Sequence, residues 1–183
     1  MATDHRSDAS EHGALAAFGE HLDPALVVVT TTDGHERAGC VVGFHTQCSI
    51  APDRYAVWIS KANHTYRVAM FADHAAVHLL SSDDLDLAEL FGGTTGDQDD
   101  AFASCAWTPG PNGVPLLDRL PNRLVGRRVS LVDDGDNDHV CLVLAPEVVE
   151  TTAAFAPLRL SAAAHIVPGH AAEERPVPRT LDA

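Results

Sequence analysis

A chain of 183 residues, 45% hydrophobic and 21% charged, suits one domain with a single core and excludes global disorder. A formal charge of −14 excludes a nucleic-acid or anionic-membrane surface as a natural partner, because both are polyanions. No run approaches the roughly 18 apolar residues of a membrane span, and the polar N-terminus lacks the basic and apolar regions of a signal peptide, so a cytoplasmic protein is expected. Cys40, Cys48, Cys105 and Cys141 show no CxxC spacing, which predicts free thiols and no metal site.

Residues 1–19 read as a polar leader followed by a short helix, with Ser10 as N-cap and Leu15 and Phe18 on one face. A single domain is expected over 20–167, and a Pro- and Glu-rich tail over 168–183. Ala25–Thr32 is apolar and β-branched, hence a buried strand, and Asp33-Gly34 signals a hairpin. The return strand runs from Glu36 to about Thr46, with Gly39 and Gly43 suggesting a bulge or the close approach of a ligand. A polar loop and the turn Ala51-Pro52-Asp53 lead to a third strand, Tyr55–Ser60.

His64–Ala72 has helical spacing, with Asn63 or Thr65 near its start. Ala75–Leu80 is a strand, and Ser82-Asp83-Asp84 caps a helix over Leu85–Phe91 that stops at Gly92-Gly93. A short capped helix is expected within 94–104. Strands are expected at Val114–Leu117, Arg123–Val132, His139–Val149 and Leu158–Val167, with an acidic turn over 133–138. Many strands with few short helices predict a mainly β fold, a barrel or sandwich, and neither GxGxxG nor a P-loop is present.

Several candidate chemistries weaken on inspection. His74 and His78 are four apart but lack a third ligand, so core or surface histidine is the reading. Cys40 and Cys48 lie in no nucleophile motif and read as thiols serving as small hydrophobes. The acidic turn lacks the closing Glu of a calcium loop. His139 opens a core strand, as a ring pointing into a mouth or as a solvated strand end. The segment Ser60-Lys61-Ala62-Asn63-His64-Thr65 gathers donors at a helix start, the setting of a phosphate site. The same residues also read as ordinary caps and turn residues.

The run VVVTTTDGHERAGC, the segment SKANHTY, and the later AAVHLLS, LAELFG and GVPLL occur in an order that resembles the flavin reductase-like family, the FMN-binding split barrels. The resemblance covers roughly residues 20–150. It implies a Greek-key-like antiparallel split β-barrel, a homodimer, and hydride transfer from NADH or NADPH to FMN, with FAD as an alternative. It also implies that reduced flavin serves a partner monooxygenase. Position by position, it implies that Cys40, Val41, Val42 and Phe44 line the flavin ring, and that Thr46, Gln47, Cys48 and Ser49 bind the ring edge and ribityl chain. Ser60, Lys61, Asn63 and Thr65 would take ribityl and phosphate, and His139 would face the nicotinamide as the catalytic residue. Other readings of the same barrel are a flavin-binding protein without turnover and a deazaflavin-dependent oxidoreductase. Two departures stand out: Ser49-Ile50-Ala51-Pro52-Asp53 replaces a double-proline loop, and Gly135-Asp136-Asn137-Asp138-His139 lengthens a "GDH" turn.

Overall fold

The computed structural model describes residues 18–19, 21–93, 100–152 and 155–169. Seven strands form one antiparallel sheet: β1 (Val27–Thr32), β2 (Arg37–Val42), β3 (His45–Ile50), β4 (Asp53–Ser60), β5 (His74–Leu79), β8 (Arg123–Val132) and β9 (His139–Glu150). Their order is β2-β1-β5-β8-β9-β4-β3. A separate ribbon pairs β6 (Trp107–Pro109) with β7 (Pro115–Leu117). Helix α1 spans His64–Ala69 and α2 spans Leu85–Gly93.

The strand order forces the sheet to curl. β2 and β3 are the two edge strands, yet only Gly43 and Phe44 separate them in the chain. Laid flat, six steps of ~4.8 Å would hold those edges about 29 Å apart. The three peptide steps from Val42 to His45 reach about 11 Å. The edges therefore approach each other at the link, where the His45 ring bridges to the segment before β1. Its Nε2 lies 2.8 Å from the Ala25 carbonyl and its Nδ1 2.7 Å from the Tyr55 hydroxyl. Since the carbonyl only accepts, Nε2 carries the proton and Nδ1 accepts from Tyr55.

Period-two patterning fills the barrel. Val27 and Val29, Cys40 and Val42, Val57 and Ile59, Ala75 and Val77, and Val140, Leu142 and Leu144 all point inward. The intervening Leu26 and Val28 point outward, where α2 covers them with Leu87, Ala88 and Phe91. Gly39 serves this second layer. A Cβ there would stand 3.0 Å from the Phe91 ring and 3.2 Å from Thr30 Cγ2.

Several expected boundaries shift. The return strand breaks at Gly43-Phe44, and the expected polar loop is instead strand β3, which pairs with β4. The bulge falls at Cys48 and in β8–β9, not at Gly39, which stays in register with Thr30. Leu158–Val167 forms no strand. Two isolated bridges, Ala25↔Arg159 and Ser81↔Pro157, and a 3-10 turn over Leu160–Ala163 replace it. Its apolar residues Leu158 and Ala163 are consumed in capping the outer layer. The helix within 94–104 is reduced to a 3-10 turn over Ala101–Ala103 among the described residues, and 94–99 lie outside them. The leader helix up to Ala17 and most of the tail likewise lie outside the described residues.

Candidate functional site

Phe44 in the β2–β3 link, Ser60 at the end of β4 and His139 at the start of β9 are brought together, and 60–65 leads from there into α1. Thr46–Ser49 instead run along β3 toward the start of β4, where Ser49 pairs with Arg54. Phe44 continues the β3–β4 ladder, accepting a hydrogen bond from the Trp58 N–H at 2.9 Å. Its ring is 61% exposed and stands edge-on to His139, with centroids 5.4 Å apart and planes at 67°. A large apolar ring left in water beside a polar strand suits stacking on a flat ligand. His139 pairs with Ser60 across β4–β9, so the first residue of β9 is fixed by the last of β4. Its Nδ1 lies 2.8 Å from an Asp138 carboxylate oxygen. The carboxylate accepts, so Nδ1 donates and Nε2 is the nitrogen left to act on a ligand.

β3 presents Thr46, Gln47 and Cys48 in succession to solvent, with Ser49 half-buried. The bulge at Cys48 breaks the alternation that would otherwise turn one of them inward. A hydroxyl, an amide and a thiol thus share one exposed edge. Their internal bonds are weak: Thr46 Oγ1 reaches the Gln47 carbonyl, and Gln47 Nε2 the Ser49 carbonyl, both at 3.2 Å.

The segment 60–65 divides into two groups. Ser60 Oγ accepts from the Ala62 N–H at 3.3 Å, and Asn63 Oδ1 caps α1 by accepting from the Thr65 N–H at 2.9 Å. Lys61 and Thr65 are instead buried. Lys61 Nζ donates to Asp133 Oδ1 at 2.6 Å. The Thr65 hydroxyl hydrogen-bonds the Cys40 thiol inside the barrel, where burial pushes that thiol up to about 12 despite the bond. Cys40 is therefore inert at neutral pH, as the small-hydrophobe reading has it, whereas Cys48 departs from that reading because the edge strand β3 leaves it exposed. Cys40 and Val42 face the core and can meet a ligand only through backbone, while the half-buried Val41 packs against the outer layer.

His78 behaves as a satisfied core histidine. It is fully buried, with Nδ1 3.2 Å from the Val28 carbonyl and Nε2 accepting from the Leu117 N–H at 3.2 Å. Burial lowers its pKa to about 4, so it is neutral. A cleft of about 220 Å³ lined by Phe71, Asp73, His74 and Asn112 lies beyond the C-terminal end of α1 and contains none of the candidate residues.

Two supports escaped sequence reasoning. Arg128 on β8 donates through Nη1 to the carbonyls of Ala69 and Met70 at 2.8 and 3.1 Å, closing the C-terminus of α1. Its signal was a charge inside an expected strand. The Lys61–Asp133 contact spans 72 positions and left no local trace.

Comparison with known proteins accords with this geometry. The flavin reductase like domain matches residues 21–160. The reductase component of a flavin-dependent trigonelline monooxygenase from Acinetobacter baylyi is 28% identical over 152 residues, covering 83% of this chain and 47% of that protein. A stachydrine N-demethylase reductase subunit from Rhizobium meliloti is 29% identical over 131 residues, covering 69% of this chain and 53% of that protein. The chain thus spans about half the length of the curated relatives it matches. The NADH:FAD oxidoreductase SgcE6 of Streptomyces globisporus superposes with a TM-score of 0.70 at 19% identity, covering 85% of this chain and 91% of that one. An FMN-binding protein from Thermus thermophilus superposes with a TM-score of 0.63 at 21% identity, covering 69% of each chain. With the match spanning most of the chain, on a curled antiparallel barrel whose edges approach each other at Phe44, this protein belongs to the flavin reductase-like domain family.

Proposed function

We propose that the protein is an NAD(P)H-dependent flavin reductase that transfers a hydride to FMN, with FAD as the alternative, and passes reduced flavin to a partner monooxygenase. The observation that carries this reading is the family match over residues 21–160, joined to the exposed Phe44 ring beside His139. The donor set fits a flavin. Phe44 offers an apolar face, and Thr46, Gln47, Cys48 and Ser49 offer polar groups that would serve a ring edge and ribityl chain. Ser60 and Asn63 would address the ribityl and phosphate end by side chain. Lys61 and Thr65, engaged with Asp133 and Cys40, would shape that end through backbone. Cys40, Val41 and Val42 would wall the ring by backbone. Bound flavin supplies the two-electron acceptor, so the protein's task is to bind and orient it. His139, held by Asp138 through Nδ1, would present Nε2 to the nicotinamide side.

The reductase components named above belong to monooxygenase systems, which supports an oxygenase as consumer of the reduced flavin. A second copy of the chain would cover exposed apolar side chains such as Ile50, Val132 and Val149. No helix among the described residues is long and apolar enough to cross a membrane.

The test is a visible spectrum of the purified protein, followed by NADH and NADPH oxidation with and without added FMN or FAD. Flavin-dependent oxidation is expected. Flavin binding with no oxidation of either nucleotide would replace the reductase by a flavin-binding protein without turnover. Turnover only with a deazaflavin would move the reading to that cofactor.

A further inference from the structure

Lys61 sits in the segment where a phosphate ligand is expected, but its surroundings are those of a strut. Its side chain is 8% exposed, and Nζ lies 2.6 Å from Asp133 Oδ1. Its backbone N–H donates to the Asp138 carbonyl at 2.8 Å. One residue thus grips both ends of the turn 133–138. That turn carries Asp133, Asp134, Asp136 and Asp138, four like charges that repel one another. Its internal order is local: Gly135 N–H donates to Asp133 Oδ1 at 2.9 Å, and Asn137 N–H to Asp134 Oδ1 at 3.0 Å.

The turn decides where His139 stands. The last β8–β9 pair is Val132↔Cys141, so beyond it His139 has no β8 neighbour. Its ladder partner is Ser60, the residue just before Lys61, and its ring is held by Asp138, whose carbonyl Lys61 holds in turn. An ammonium already neutralised by a carboxylate at hydrogen-bond distance has little charge left to offer a phosphate, and burial denies the phosphate access.

We propose that Lys61 and Asp133 are a positioning pair that locks the acidic turn so that His139 faces Phe44, and that Lys61 is not a ligand of the flavin phosphate. The inference rests on the flavin reductase reading for its consequence, but the lock itself is a property of the free chain.

The experiment uses the full chain and the variants Lys61→Met, Asp133→Asn and the exchanged pair Lys61→Asp/Asp133→Lys. Hydrogen–deuterium exchange is followed at Asn137–Val140 without flavin. Kd for FMN and for riboflavin is measured by fluorescence titration, and KM and kcat for the nicotinamide nucleotide are measured separately. Both single variants should speed exchange at the turn by about tenfold, the effect of losing roughly 1.4 kcal/mol of local stability. They should raise the nicotinamide KM, and change FMN and riboflavin affinity by the same factor. The exchanged pair should regain part of the protection. Unchanged exchange in Asp133→Asn would overturn the lock. So would a loss in Lys61→Met confined to FMN and absent for riboflavin, because that selects the phosphate. Should the wild-type chain fail to oxidise either nucleotide with flavin, the reductase reading falls while the exchange data still decide the lock.

Discussion

The Phe44 ring meets His139 edge to face, at 5.4 Å between centroids, although 95 positions separate them in the chain. One comes from the seam between the sheet's edges, the other from the start of its longest strand. On the proposed reading, the contact joins the residue that would hold a flat ring to the residue that would act beside it. Replacing His139 with Ala should leave the flavin Kd within about twofold and lower kcat/KM for the nicotinamide by roughly tenfold, the scale of one hydrogen bond. Stopped-flow flavin reduction with a parallel flavin titration checks this. A large loss of flavin affinity with an unaltered reduction rate would reverse the roles of the two rings.

Asn63 should matter twice. Its side chain caps α1, and losing a cap costs about 1 kcal/mol. Asn63→Ala should lower the denaturation midpoint accordingly and weaken flavin binding beyond that, if this end of the site takes the ribityl and phosphate groups. Asn63→Asp retains the cap but adds a negative charge. It should therefore restore stability without restoring affinity, and urea melts paired with flavin titrations separate the two effects.

His78 makes stability pH-dependent. Folding lowers its pKa from 6.5 to about 4, so the unfolded chain takes up the proton first as pH falls. Its contribution is whole above pH 6.5, declines between 6.5 and 4, and is gone below that. The loss approaches about 3 kcal/mol at 1.36 kcal/mol per pKa unit. Denaturant melts from pH 7.5 to 4 should show this fall. A His78→Gln variant should show a shallower one from a lower starting stability, because the protonation is removed with the ring.

Gly39→Ala should destabilise the barrel by about 1–3 kcal/mol, since the new methyl meets the Phe91 ring at 3.0 Å. Gly39→Ala combined with Phe91→Leu should recover part of the loss. Additive losses in thermal melts would mean that Phe91 can already move aside.

Thiol labelling should sort the cysteines by depth. Cys48 lies exposed on β3 and should react within the mixing phase of a disulfide reagent. Cys40, with its pKa pushed to about 12, should react only on unfolding. Bound flavin should slow Cys48 alone, if β3 borders the ring edge.

The sequence made the period-two interior strands readable because each buries a regular apolar row, as at Val27 and Val29 or Val140 and Leu142. β3 was read as a loop because its pattern has no such row. It is a half-exposed edge strand with a bulge, so Thr46, Gln47 and Cys48 carry no burial signal. Leu158–Val167 misled in the opposite sense, since its apolar residues cap an outer layer instead of joining the sheet. Gly39 hinted at a close approach but not at its partner, which is Phe91 from a later helix. The donors of 60–65 were visible as a group. That Lys61 and Thr65 are buried was not, because Asp133 and Cys40 are brought to them only by the curled sheet.

The Gly43-Phe44 link also sets a mechanical limit. It works as an inextensible strap, and any widening of the mouth at the seam would have to be accommodated within about 11 Å of backbone. Lengthening the strap by one residue would add about 3.8 Å of reach at the seam. Loop grafting is best kept out of both the 133–138 turn, whose two ends Lys61 holds, and the two-residue link.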